Sequence, residues 1–279
     1  MTVSNMKSSA LIGMTALSVL GATGMSAGAQ EISVQIENTS SADGFFFTPF
    51  WVAAHNGGFD SYDGGALAAG FPGITEIAEG GDTGPITAAF SGSAAGLAGG
   101  VQATQTAVAF DGDAPVFSPG ESTTFNLNVG DASVNRYFSY ASMVVPSNDL
   151  FVANGNPFAH AIFDEGGNFN GTTVIEIYGR DVNDNGSEVN DATAGAAFSI
   201  LGGEGIDESV VVRNFFTESG DSTYLESFIG TGTANGSTIG SVFGADDLIA
   251  RITISEVPAP GGVAALAMGG LVIGRRRRG

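Results

Sequence analysis

The chain has 279 residues, 43 of them glycine, a hydrophobic fraction of 43% and no cysteine. That apolar content is enough for a packed core, and the lack of cysteine excludes disulfides, thiolate catalysis and cysteine-based zinc sites. All 29 acidic residues lie between Glu31 and Glu256, opposed there only by Arg136, Arg180, Arg213 and Arg251, which leaves −25 on that segment; so acidic a surface excludes nucleic acid as a partner and suits a salt-rich or calcium-containing exterior.

In chain order, residues 1–29 read as a secretory signal. Lys7 gives the positive start, 10–25 is a small-to-apolar core, and Ala27-Gly28-Ala29 is an A-x-A cleavage site. The mature, exported chain would begin at Gln30. Residues 31–37 alternate, with Ile32, Val34 and Ile36 on one face, and predict a half-buried opening strand. A second apolar strand is expected over 45–54, punctuated by Thr48-Pro49, and it runs into His55. That histidine is either a ligand or base, or a satisfied structural residue. Ile74, Ile77 and Ala78 fall at helical spacing, and Gly80-Gly81 stops that short helix. A second short helix is expected over 85–98.

Strands follow over 101–110 and 122–129, separated by the breakers Asp111-Gly112-Asp113 and Ser118-Pro119-Gly120. The centre of the chain is 136–151. Its first half is a buried strand that Pro146 ends, because proline has no N–H for the ladder. Ser147, Asn148 and Asp149 form a polar turn before Leu150, Phe151 and Val152 return to the core. Asp149 is thus either a carboxylate held at a sheet rim for a ligand, or an Asx-turn that caps its own backbone. Further strands are expected over 158–163, 172–178 and 248–255, with 209–216 apolar but of open type. Many short strands with Gly-rich turns, and one or two short helices, predict an all-β antiparallel sandwich over 30–256.

The acidic stretch 181–191 carries the clearest chemistry. Asp181, Asn183, Asn185 and Gly186 stand at the first, third, fifth and sixth places of an Asp-x-Asn-x-Asn-Gly calcium loop. Such oxygen-rich loops suit hard cations, and the glycine permits the sharp wrap. The twelfth place is Ala192 and a strand precedes the loop, so an EF-hand is not expected. The competing reading is a solvated acidic loop.

Ser142-Met143-Val144-Val145-Pro146-Ser147-Asn148-Asp149-Leu150-Phe151-Val152 resembles the signature of the spondin N-terminal domain. In that family the strand runs into Pro-Ser-Pro-Asp-Trp-Phe-Val; here Asn148 and Leu150 replace the second proline and the tryptophan. Gly186-Ser187-Glu188-Val189-Asn190-Asp191 is similar to the Gly-Thr-Glu-Val-Asn-Asp of bacterial relatives, and Ala78-Glu79-x-Gly81 to a family Ala-Glu-x-Gly. The resemblance implies a calcium ion at one end of a sandwich, with Asp149 and Asp181 as first candidate ligands and Asp184 and Glu188 next. It also implies a non-catalytic adhesion or matrix-binding role toward an unknown protein or glycan ligand at the cell surface.

The last segment, 257–279, is a separate module: Val257-Pro258-Ala259-Pro260, an apolar run over 262–274, and Arg275 to Arg278. The run is short for a full span, which needs about 20 residues. It resembles the bacterial PEP-CTERM sorting tail, which implies transient membrane association and removal by a sorting protease. Catalysis finds little support, since outside the signal segment no Gly-x-Ser-x-Gly elbow is present, and the chain has no His-Glu-x-x-His helix or phosphate loop. The alternative function is an envelope hydrolase acting on polysaccharide or ester substrates.

Overall fold

The computed structural model describes residues 30–107, 115–219 and 223–257. The expected signal segment, nearly all of the sorting tail, the Asp111-Gly112-Asp113 turn and the end of the strand expected over 101–110 lie outside these residues.

Among the described residues, eleven strands make two antiparallel sheets. They are β1 (Gln30–Asn38), β2 (Phe46–Phe47), β3 (Phe50–His55), β4 (Val101–Gln105), β5 (Ser122–Gly130), β6 (Tyr137–Val145), β7 (Leu150–Ala153), β8 (Thr173–Tyr178), β9 (Asn183–Asp184), β10 (Arg213–Asn214) and β11 (Leu248–Glu256). One sheet runs β5-β1-β11-β8; the other runs β10-β9-β7-β6-β3-β4, with β2 also on β6. The first and last strands are neighbours, with Ile32 opposite Glu256 and Asn38 opposite Ala250. The expected all-β antiparallel sandwich is the observed fold.

Strand β1 shows why the alternation works. Ile32, Val34 and Ile36 are fully buried, while the residues between them are not. A period of two places every second side chain on the inter-sheet core. Phe125, Leu127 and Val129 of β5 and Ala250, Ile252 and Ile254 of β11 supply the same face. The core also takes Phe138, Tyr140 and Val144 from β6.

The central strands β3 and β6 are buried on both faces. Their second face is covered by three short helices, α1 (Ile74–Gly80), α2 (Gly84–Gly92) and α3 (Ala94–Leu97). Trp51 and Ala53 of β3 pack there against Ile74, Ile77, Ile86 and Phe90. Helix α1 stops as expected: Gly81 is left-handed at φ 67° and its N–H returns to the Glu76 and Ile77 carbonyls. Ser93 splits the second expected helix in two, its Oγ accepting the Gly96 N–H as the cap of α3.

One expected strand is not formed, and one segment of open type is settled. Residues 158–163 form no strand; only isolated bridges, Tyr137–Ala161 and Phe163–Phe169, occur there. Residues 209–216 contribute an isolated bridge from Val211 to Leu67, the two-residue β10 and the start of a π-helical turn at Phe215–Ser219. Among the described residues no helix is long and apolar enough to cross a membrane.

Candidate metal centre

The β6–β7 hairpin places Asp149. Its turn is tied from within, with the Ser147 hydroxyl donating to the Val144 carbonyl and accepting the Leu150 N–H at 3.1 Å. Asn148 is held from outside: its backbone N–H donates to the Tyr224 hydroxyl at 2.8 Å, which donates to Asn148 Oδ1 at 2.6 Å. Ser147, Asn148 and Asp149 are all fully buried. A polar turn this deep must satisfy its groups with protein partners.

Strand β9 lies beside β7, with Leu150 opposite Asp184 and Phe151 opposite Asn183. It delivers the loop after Asp184 to Asp149. The Ser187 and Glu188 N–H groups donate to Asp149 Oδ2 at 2.9 and 3.0 Å, and the Asn185 N–H donates to the Asp149 carbonyl at 3.2 Å. Asp149 is therefore no Asx-turn residue, since it caps a loop almost forty positions away. Gly186 makes the wrap: its φ is 69°, and a Cβ there would stand 2.7 Å from Val210.

Burial first, and then the Asp184 charge, raise the Asp149 pKa to about 7. Asp149 Oδ1 has no hydrogen-bond partner, although it is sealed from solvent. Two more sealed, unpartnered oxygens belong to the loop after Asp184, Asn185 Oδ1 and Asn190 Oδ1. Each amide is oriented by its nitrogen. Asn185 Nδ2 donates to Ser187 Oγ at 2.7 Å, and Asn190 Nδ2 donates to Asp184 Oδ2 at 2.8 Å.

The other expected ligands are placed as follows. Asp184 is fully buried, but both its oxygens are engaged: Oδ1 accepts the Gly186 N–H, and Oδ2 accepts Arg213 Nε and Nη2 at 3.2 and 3.0 Å. Glu188 lies at the partly buried edge of the loop, where burial and the Glu79 charge raise its pKa. Asp181 is not in this group. Its Oδ2 accepts the Tyr178 N–H at 2.8 Å, and it lines a separate cleft with Tyr62, Tyr140 and His160. No cluster of three or more His, Cys, Asp or Glu side chains able to hold a metal occurs among the described residues. What the two loops carry instead is one carboxylate and two amides with unpartnered oxygens.

Asn190 and Arg213 were not picked out from sequence. Arg213 carries a faint signal, being one of only four cations opposing all the acids. Asn190 carries none beyond its place in an amide-rich loop. His55 is structural: its Nδ1 accepts the Gly57 N–H at 2.9 Å, and its Nε2 lies 2.8 Å from Ser139 Oγ. Comparison with known protein families and with curated proteins finds no match for this chain.

Proposed function

We propose that the protein is an exported, non-catalytic adhesion or matrix-binding module whose loop end is tied by a calcium ion. The observation that carries the ion is the trio of sealed, unpartnered oxygens, Asp149 Oδ1, Asn185 Oδ1 and Asn190 Oδ1. A buried acceptor without a donor costs about 1–3 kcal/mol. Three such acceptors, one in the β6–β7 turn and two in the loop bonded to it, suit a hard cation, which takes carboxylate, amide, carbonyl and water oxygens together. Asp149, Asn185 and Asn190 would hold it, with Asp184 and Glu188 beside it; Asp181 is left out. Export rests on the signal and tail segments, and the binding role on the spondin resemblance together with the lack of a catalytic constellation in the sequence.

A proton on Asp149 is the competing way to relieve the same oxygens. The two are separated at pH 8, above the raised Asp149 value. There, calcium should raise the Tm of the chelator-treated protein by several degrees, as an ion bound only to the native state adds about 2.7 kcal/mol at a hundredfold excess over Kd. Asp149→Asn should abolish most of that response, and Asp181→Ala should keep it. A Tm indifferent to calcium at pH 8 would remove the ion.

A further inference from the structure

A second polar site lies at the open side of the sandwich. The edge strand β8 meets β6, β7 and β9 around a cleft of about 340 Å³, at the small end of the range of about 300–1,000 Å³ for small-ligand sites. The Tyr140 ring is packed in the core, and the residue is only 5% exposed, yet it lines this cleft. Its hydroxyl has no hydrogen-bond partner among the described residues, and neither ring nitrogen of His160 has one. The two rings face each other at 6.0 Å with a tilt of 36°. Asp181 spends Oδ2 on the Tyr178 N–H and leaves Oδ1 free; Asn183 donates from Nδ2 to the Tyr62 hydroxyl at 3.0 Å and leaves its oxygen free.

The charge around the cleft narrows the ligand. Arg180 is 3.0 Å from Asp246 and lies over the Tyr178 ring, so its charge is already engaged by the protein. Glu176 accepts the Tyr178 hydroxyl at 2.8 Å and faces Arg251 at 3.6 Å. Asp181 is left as the uncompensated charge, which disfavours phosphates and uronates. An apolar ligand would strand the free hydroxyl, imidazole, amide and carboxylate groups without water. Hydroxyl and imidazole groups both donate and accept, and the two acceptor oxygens beside them want donors. That combination matches a compound whose every polar group is itself a hydroxyl.

We infer that this cleft, built by Tyr62, Tyr140, His160, Asp181 and Asn183, binds one or two rings of a neutral saccharide. The inference rests on the reading as a binding module and names its ligand class; the site is apart from the calcium loop. It also gives Asp181 a use, as a hydroxyl acceptor.

The test is calorimetric titration of the purified full-length protein with cellobiose, maltose, N,N′-diacetylchitobiose, a digalacturonate and spermidine, in calcium and again in chelator. At least one neutral disaccharide should bind with a Kd of about 1 mM or tighter, and the matching polysaccharide should compete with it. Tyr140→Phe removes only a hydroxyl without a protein partner. It should leave Tm unchanged and weaken binding at least about fivefold. His160→Phe keeps a ring, loses both nitrogens and should weaken binding similarly. The inference falls if no neutral disaccharide binds, or if the digalacturonate or spermidine binds more tightly. It falls equally if free monosaccharide is released, or if both variants bind like the parent. Sugar binding without any calcium response would leave the cleft standing and remove the ion, and the reverse result would do the opposite.

Discussion

His55 is held neutral by geometry and burial. The Gly57 N–H fixes Nδ1 as acceptor, Nε2–H donates to Ser139 Oγ, and burial lowers the pKa to about 4. A histidine depressed in the folded state favours the unfolded chain once protons become available. Its contribution is complete above about pH 6.5 and is lost as pH falls toward 4, at about 1.4 kcal/mol per unit, or about 3 kcal/mol in all. His160, whose pKa burial also lowers, adds in the same direction. His55→Asn can keep the Gly57 contact through its side-chain oxygen without titrating. Denaturant unfolding between pH 6.5 and 4 should therefore show a shallower loss of stability in His55→Asn than in the parent.

Among elements, β10 is one of three two-residue strands, and it carries the arginine that meets a buried carboxylate. Its two residues pair with β9, Arg213 opposite Asp184 and Asn214 opposite Asn183. Arg213 is the fork that compensates a fully buried carboxylate, and it reaches Glu208 at 3.1 Å as well. Removing one partner of a buried pair leaves an uncompensated charge and costs about 3–5 kcal/mol. Arg213→Met should therefore destabilise strongly, and Asp184→Asn in the same chain should recover part of the loss. Equilibrium unfolding of the two single variants and the double variant measures the coupling. If the double variant is no better than Arg213→Met, the pair is not what holds β10 to the sheet.

For the whole molecule, the four arginines between Glu31 and Glu256 are all in ion pairs, with Glu165, Asp246, Asp184 and Glu208, and Glu37 and Glu176. The remaining acids repel one another across a segment at −25. Salt shortens the reach of that repulsion from about 30 Å at 0.01 M to about 3 Å at 1 M. In chelator, Tm should rise by several degrees over that range of sodium chloride. A Tm that stays level or falls would show that the acids are already neutralised by local contacts.

Much of this architecture was legible before any tertiary contact was known. The alternation in Ile32, Val34 and Ile36 is a local period, and so is that of Phe125, Leu127 and Val129; a strand with one face on a core must show it. Pro146 ends β6 and Gly81 ends α1 through backbone chemistry that each residue carries with it. The meeting of Asp149 with the acidic loop was expected through the strand at 172–178, but that strand lies in the other sheet, and the loop is brought in by β9, too short to show a period. Which oxygens meet was not readable either. Asp181 and Asp184 stand only three positions apart, but a 3₁₀ turn at Gly179–Asp181 and the pairing of β9 on β7 send them to different sites. Arg213 joins Asp184 from 29 positions away, and Tyr224 clamps Asn148 from 76. Such pairings depend on which loops the two sheets bring together, and no period along the chain records them. The same reason hid the helical layer over β3 and β6: Trp51 and Ala53 read as one more buried strand, and only packing decides what buries their outer face.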